Sequence, residues 1–167
     1  KQVLFSGYIG EGPRVEHFEQ MLAPWFGCDN VLALNNGTSA LHLALRLAGV
    51  ESGDEVISTP MTCSATNEPI LAAGAKIIWA DIDPWTANID PKDVARKINP
   101  KTKAIMCVHW GGYPCDLDEL NAIAAEHNIK IIEDACHAFG STYHGKPVGS
   151  HCDFACFSFQ AIKHMTT

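Results

Sequence analysis

The chain alternates short apolar segments with stretches whose apolar residues recur at helical spacing. The short segments are rich in Val, Ile and Leu, and turn-forming Gly, Pro, Asn and Asp separate them from the helical stretches. This alternation is typical of an α/β fold in which a mostly parallel sheet lies between two helical layers. The predicted strands cover residues 31–34, 55–58, 76–80, 103–108, 130–133 and 153–159.

Helix boundaries are marked by capping residues. Apolar residues from Val15 to Phe26 recur at helical spacing before Gly27, and Gly49 is placed to end the helix that begins near Thr38. Asp116 is placed as the N-cap of a helix that runs to about residue 127.

Pro69 conflicts with a helix over residues 63–73, because proline lacks the backbone N–H and clashes one turn back. We therefore expect this helix to start near Thr66 or Asn67, or to be kinked.

Composition narrows the function classes. The chain has 167 residues, 47% of them hydrophobic and 19% charged, which is enough for one globular domain over residues 1–167. Its net charge of −7 argues against nucleic acid or an anionic membrane as the main partner, and no apolar run is long enough for a membrane span. A local basic pocket for a phosphate remains compatible with this charge.

The seven cysteines form no CxxC pair, so we expect reduced core thiols in a cytoplasmic protein and no metal site. Cys107 and Cys115 flank a turn, and Cys152 and Cys156 are spaced for one face of a strand. The chain starts without Met and stops at Thr167 with no closing element, which leads us to expect a fragment of a longer protein.

A candidate anion site lies at Asn36–Ser39. A predicted strand leads into a turn at Gly37, and Thr38 and Ser39 then open a helix. Free backbone N–H groups and the positive end of the helix dipole favour an anion there, and two hydroxyls can add hydrogen bonds. The alternative is that Thr38 or Ser39 only caps the helix.

A carboxylate and a lysine follow two later strands. Asp134 ends the apolar segment at 130–133, and Lys163 comes after the segment at 153–159. Right-handed crossovers bring the carboxyl ends of parallel strands to one edge, so the 34–39 turn, the 59–63 turn, His109-Trp110, Asp134 and the 158–163 segment should share one crevice. An anion site, a carboxylate and a lysine suit pyridoxal 5'-phosphate (PLP), which has a phosphate, a ring nitrogen and an aldehyde.

Seven ordered segments carry a resemblance to one family. The chain resembles the N-terminal half of a DegT-type nucleotide-sugar aminotransferase, in the fold-type I, aspartate-aminotransferase-like class of PLP enzymes. The matching segments are GxxxxGP–FE at 7–19, NGTSALHLAL at 36–45, GDEVI at 53–57, GAK–DID–IDP at 74–91, TKAI–VHWGG at 102–112, IEDACHAFGSTYHGKPVGS at 132–150 and FACFSFQAIKHMTT at 154–167.

The resemblance implies roles for individual residues. Lys163 would bind the aldehyde of PLP covalently and shuttle a proton, and Asp134 would pair with the pyridine nitrogen. His137 would lie beside the ring and its 3-oxygen. The residues implied in phosphate binding are Gly37, Thr38, Ser39 and Ser158.

The same resemblance implies a substrate class and an assembly. The expected reaction moves an amino group from an amino acid, such as glutamate, to a keto group of a nucleotide-linked deoxysugar. Relatives act as homodimers, are about twice as long, and have a C-terminal domain, so these residues would form an incomplete large domain. Alternatives left open are a truncated or non-catalytic PLP-fold module and another fold-type I reaction, such as sugar dehydration.

Two positions depart from the family pattern. Cys63 stands where many relatives carry a bulky side chain that stacks on the ring, and Gln160 stands where His or Tyr is common. Some relatives that dehydrate sugars replace the lysine by histidine, and Lys163 argues against that branch.

Overall fold

The computed structural model describes residues 1–167 and divides into two compact units, Lys1–Asn35 and Asn36–Thr167. The first unit contains helices α1 (Gln2–Ser6) and α2 (Pro13–Phe26). Pro13 occupies the first turn of α2, and Gly27 ends it in the left-handed region at φ 63°, as the sequence predicts.

The strand predicted at 31–34 is wrong. The segment is irregular, and the amide of Ala33 donates to Oε1 of Glu19 at 2.7 Å instead of to a neighbouring strand. Leu32 and Leu34 are exposed. An apolar run of four residues predicts a strand only when a ladder partner takes its amides, and here a side chain takes one of them.

The second unit is built on a five-stranded parallel sheet, one main strand fewer than predicted. Its strands are β1 (Glu55–Ser58), β2 (Lys76–Trp79), β3 (Thr102–Val108), β4 (Lys130–Asp134) and β7 (Phe154–Cys156), and they lie in the order β2-β1-β3-β4-β7. A separate antiparallel hairpin joins β5 (Thr142–Tyr143) to β6 (Lys146–Pro147). The last main strand is therefore three residues long, where the sequence predicts seven.

Four helices cover the sheet: α3 (Gly37–Leu47), α4 (Ser64–Ala72), α5 (Pro91–Lys97) and α6 (Leu117–His127). Gly49 follows α3 at φ 75°, and the amides of Gly49 and Val50 bond back to Arg46 and Leu45 in a Schellman motif. The Asp116 side chain accepts from the amide of Glu119, as the predicted N-cap of α6 requires.

Helix α4 differs from both expectations for Pro69. It begins at Ser64, so Pro69 lies beyond its first turn inside a continuous helix. Pro69 is buried, and packing of this face holds the helix although the proline cannot donate to the carbonyl one turn back.

Alternating side chains of the strands build two apolar layers. Ala104 and Met106 of β3 pack into the layer that includes Leu41 and Leu45 of α3 and Ile70 of α4. Ile105 and Cys107 face the opposite layer, with residues of α5 and α6 that include Val94, Leu117 and Leu120. The predicted three-layer α/β/α architecture is confirmed, and it leaves the carboxyl ends of the strands as the edge on which ligands bind in such sheets.

None of the helices combines the length and the apolarity that crossing a lipid bilayer requires.

Candidate active site

The carboxyl ends of three neighbouring strands lie in register. Val108 pairs with Asp134, and Asp134 pairs with Cys156. The residues that leave this edge next are therefore His109, Ala135 and Phe157. This register brings the Asp134 strand beside the segment that leads to Ser158 and Lys163.

The carboxylate of Asp134 is held by two donors, one on each oxygen. Oδ1 accepts from the amide of Cys136 at 3.1 Å, and Oδ2 accepts from the hydroxyl of Thr66 at 2.6 Å. Thr66 is in turn 2.7 Å from the hydroxyl of Thr62. Asp134 is 5% exposed and has no cation among its hydrogen-bond partners. A carboxylate has about four acceptor positions, so two remain for an incoming N–H group.

The N-terminus of α3 has the form of an anion site. Asn36 is the N-cap, because its side chain accepts from the amide of Ser39 at 2.8 Å. The cap is thus neither Thr38 nor Ser39. The amides of Gly37 and Thr38 have no acceptor within the chain, and neither do the hydroxyls of Thr38 and Ser39. These groups are free to bind a phosphate.

Gly37 lies close to the segment that carries Ser158. A Cβ at Gly37 would be 3.2 Å from Sγ of Cys136, 3.3 Å from Cβ of Ser158 and 3.4 Å from the carbonyl oxygen of Phe157. The α3 terminus therefore meets the chain after β4 and the chain after β7 at one point. Two of the predicted phosphate ligands, Gly37 and Ser158, meet there, and Thr38 follows Gly37 in the chain.

His137 lies on the loop after β4 and packs against the loop after β3. Its ring is 5.7 Å from the ring of Trp110, edge to face, and its carbonyl is 2.7 Å from where a Cβ of Gly112 would lie. Burial lowers the pKa of His137, Lys163 lowers it further, and Asp134 acts in the opposite direction. The imidazole thus lies within the electrostatic reach of both the predicted lysine and the predicted carboxylate.

Lys163 lines a shallow cleft of about 380 Å³ together with Gly111, His137, Ile162 and His164. Its amide bonds to the carbonyl of Gln160 at 2.8 Å, which forms a turn at the end of the segment. The side chain is half-buried.

One predicted member of the crevice, His109, is placed differently. His109 is fully buried and hydrogen-bonds to Glu133 at 2.9 Å. The loop after β3 instead reaches the cleft through Gly111, and Trp110 contacts the ring of His137. Cys63 is exposed at the N-cap of α4, and its side chain makes no capping bond.

Sequence reasoning missed two residues that position the site. Thr66 bonds Asp134, and Asn88 holds the Trp110 segment by accepting from the Trp110 amide and donating to the carbonyls of Tyr113 and Pro114. No local pattern marks these contacts, because their partners are distant in sequence.

Comparison with known proteins gives a consistent result. The chain is 42% identical over 166 residues to the spore coat polysaccharide biosynthesis protein SpsC of Bacillus subtilis, and the match covers 99% of the chain and 43% of SpsC. It is 44% identical over 156 residues to a GDP-perosamine synthase of Caulobacter vibrioides, over 93% of the chain and 42% of that protein.

A solved structure, Spr1654 from Streptococcus pneumoniae in its PLP form, matches with a TM-score of 0.95 at 36% identity, over 99% of the chain and 46% of Spr1654. The chain thus spans less than half the length of the relatives it matches. The family model that describes the DegT/DnrJ/EryC1/StrS aminotransferases matches all of residues 1–167. The chain belongs to this aminotransferase family.

Proposed function

We propose that the protein is a PLP-dependent aminotransferase that moves an amino group from an amino acid to a keto group of a nucleotide-linked deoxysugar. The observation that carries the proposal is the convergence around His137. Lys163, from beyond β7, lines the same cleft as His137, and Asp134 ends β4 three residues before His137. The α/β fold itself does not need a lysine, a carboxylate and an imidazole at one edge of the sheet. PLP chemistry does need them there.

The residues present fit the cofactor at each of its polar groups. The free amides of Gly37 and Thr38 would bind the phosphate, with the hydroxyls of Thr38, Ser39 and Ser158 beside them. An anion suits this position because the positive end of the α3 dipole points at it. The unpaired amides and hydroxyls thus supply the hydrogen-bond donors that a phosphate group would need.

Asp134 would hold the pyridine nitrogen. An ionised carboxylate next to that nitrogen favours its protonated form, since an opposite charge raises the pKa of a base. Its two hydrogen-bonded oxygens keep acceptor positions for the ring N–H. His137 would lie beside the ring, and Cys63 would face it with a small side chain that leaves one ring face loosely packed.

Lys163 would bind the aldehyde carbon and later carry the proton between the cofactor and the substrate carbon. PLP supplies an aldehyde that takes up the amino group and a ring that stabilises negative charge on the adjacent carbon. The amine is suited to proton transfer because its flexible stem can follow the reacting carbon. Ile162 and His164, which line the same cleft, would contact the substrate side.

The proposal also covers the substrate class, the amino donor, the assembly and the cellular compartment. One relative is named for a GDP-linked product, which supports a nucleotide-linked substrate. Glutamate is the proposed donor, and a homodimer is the proposed assembly. We take residues 1–167 as part of the PLP-binding large domain. The seven free cysteines favour the reducing cytoplasm as the place of reaction.

The first experiment tests the lysine. The full-length gene product is loaded with PLP, reduced with borohydride, digested and analysed by mass spectrometry. We expect the reduced cofactor on Lys163, and no such label in the Lys163→Arg variant. The exposed Lys101 provides the matched control, because Lys101→Arg should keep the label. A label on another lysine of the wild-type protein would contradict the proposal.

A second experiment tests the reaction. ¹⁵N-labelled glutamate is supplied with a panel of nucleotide-linked ketosugars, and the sugar product is analysed for ¹⁵N. Transfer of the nitrogen to the sugar carbon supports the aminotransferase. Loss of a hydroxyl without nitrogen transfer would show dehydration, and binding of PLP without turnover of any sugar would point to a non-catalytic member.

A further inference from the structure

We infer that Thr66 is a positioning residue for the cofactor's ring nitrogen, and that Thr62 and Thr66 form a directed hydrogen-bond relay that orients the carboxylate of Asp134. This inference rests on the proposed PLP function. It concerns two hydroxyls outside the predicted set of site residues.

The direction of the relay follows from counting protons. The Thr66 hydroxyl has a single proton, and an ionised carboxylate can only accept, so this proton is on the 2.6 Å bond to Oδ2 of Asp134. The oxygen of Thr66 must then accept in its 2.7 Å contact with Thr62. Thr62 is therefore the donor, and the relay runs from Thr62 through Thr66 to Asp134.

The relay does not serve the helix that carries it. Threonine in a helix commonly turns its hydroxyl back to a carbonyl of the preceding turn, but the Thr66 hydroxyl contacts only Thr62 and Asp134. Thr66 is 1% exposed, and its hydroxyl reaches a partner 68 residues away in the sequence. A buried hydroxyl directed out of its own element indicates a specific requirement at Asp134.

That requirement is orientation. The terminal torsion of an aspartate is broad, so one hydrogen bond leaves the carboxylate free to rock about it. The Cys136 amide holds Oδ1, and Thr66 holds Oδ2. With both oxygens fixed, the plane of the carboxylate and its two remaining acceptor positions are fixed as well. Without Thr66, a single donor remains.

The relay also links two parts of the site. Thr62 and Thr66 flank Cys63, the residue expected to face the cofactor ring. The same short segment thus carries the ring-facing side chain and orients the partner of the ring nitrogen. A shift of this segment would move both together.

The test uses the full-length gene product loaded with PLP that carries ¹⁵N at the pyridine nitrogen. The ¹⁵N chemical shift is followed against pH, and it gives the pH at which the bound ring loses its proton. Thr66→Val keeps the shape and removes the hydroxyl, and Thr66→Ser keeps the hydroxyl. Thr102→Val is the control, because Thr102 is also buried and hydrogen-bonded but lies at the opposite end of β3.

If Thr66 orients Asp134, Thr66→Val should lower the deprotonation pH of the ring by about one unit or more. The reason is that the charge-assisted hydrogen bond from the ring N–H to Asp134 loses its alignment, and such a bond carries an effect of at least that size. Thr62→Val should lower it less, and Thr66→Ser and Thr102→Val should leave it unchanged. The affinity for PLP should fall about tenfold in Thr66→Val. If Thr66→Val does not fold, the deprotonation pH of the ring in Thr62→Val is compared with that in Thr102→Val instead.

An unchanged or higher deprotonation pH in Thr66→Val would overturn the inference. No change would mean that the hydroxyl only stabilises the fold, and a rise would mean that it weakens the carboxylate rather than orients it. Borohydride labelling separates this result from the function itself. If Lys163 is labelled in the wild-type protein while Thr66→Val behaves like Thr102→Val, only the relay fails.

Discussion

At Gly37, three parts of the site come into close contact. A side chain there would meet the sulfur of Cys136, the Cβ of Ser158 and a backbone carbonyl within 3.2–3.4 Å. The φ of Gly37 lies outside the left-handed region, so an L-residue could adopt this backbone conformation. What requires glycine at this position is therefore space rather than backbone conformation.

We expect Gly37→Ala to weaken PLP binding and to destabilise the chain. Alanine is the better helix former, but overpacking commonly costs about 1–3 kcal/mol, and backbone atoms cannot move aside easily. Urea unfolding and titration with PLP measure the two effects. Gly10→Ala is the control, because a Cβ at Gly10 has nothing within 4 Å. A Gly37→Ala variant as stable as the control, with unchanged PLP affinity, would contradict this account.

Residues at strand ends were accessible to sequence reasoning. Asp134 and Lys163 stand out because each follows an apolar run, and parallel topology then puts them at one edge. Thr66 did not stand out. Its role depends on a contact across 68 residues, and a threonine in the first turn of a helix has an ordinary local explanation.

At the scale of elements, Asp93 ties helix α5 to the chain after β2. Its Oδ2 accepts from Nζ of Lys97 at 2.6 Å and from the amide of Asp81 at 2.7 Å, and its Oδ1 accepts from Arg96 at 2.8 Å. Burial raises the pKa of Asp93, but these three donors outweigh it and lower the pKa to about 2. The ionised carboxylate is thus the form that the fold stabilises.

We expect Asp93→Asn to destabilise the chain at neutral pH by roughly 2 kcal/mol. A lowered pKa stabilises the folded state above the unfolded value of 3.8, and this stabilisation is lost as the pH falls through about 2. The difference in unfolding free energy between wild type and variant should therefore shrink by about 1 kcal/mol between pH 6 and pH 3. Urea unfolding at both pH values measures it, and a constant difference would show that Asp93 acts only through packing.

Element types followed from the sequence more reliably than element boundaries did. The helices with clear caps and the strands buried on both faces were predicted with bounds close to those observed. The strand predicted at 31–34 does not form, because the amide of Ala33 bonds to Glu19. The length of the last strand was overestimated, because apolar residues continue beyond its three paired positions. Both errors come from hydrogen-bond partners that no local pattern specifies.

For the whole molecule, the reaction rates of the cysteine thiols can show which surfaces a bound ligand covers. Cys28 and Cys63 are exposed, and the other five cysteines are buried or half-buried. Burial, followed by the charge of Asp134, raises the pKa of Cys136, and burial also raises the pKa of Cys152. Since the thiolate is the reactive form, both half-buried thiols should react slowly. Only two cysteines of the folded chain should therefore react quickly with a disulfide reagent.

Loading with PLP should make the reaction rates of Cys28 and Cys63 differ. If Cys63 faces the cofactor ring, PLP will slow its reaction by about tenfold or more, because a covered thiolate is inaccessible to the reagent. Cys28 is not among the residues proposed to hold the cofactor and should keep its rate. The Cys28→Ser variant isolates the signal of Cys63. Inorganic phosphate alone should not protect Cys63, since it would fill only the anion site at α3, and equal rates for Cys63 with and without PLP would remove it from the cofactor site.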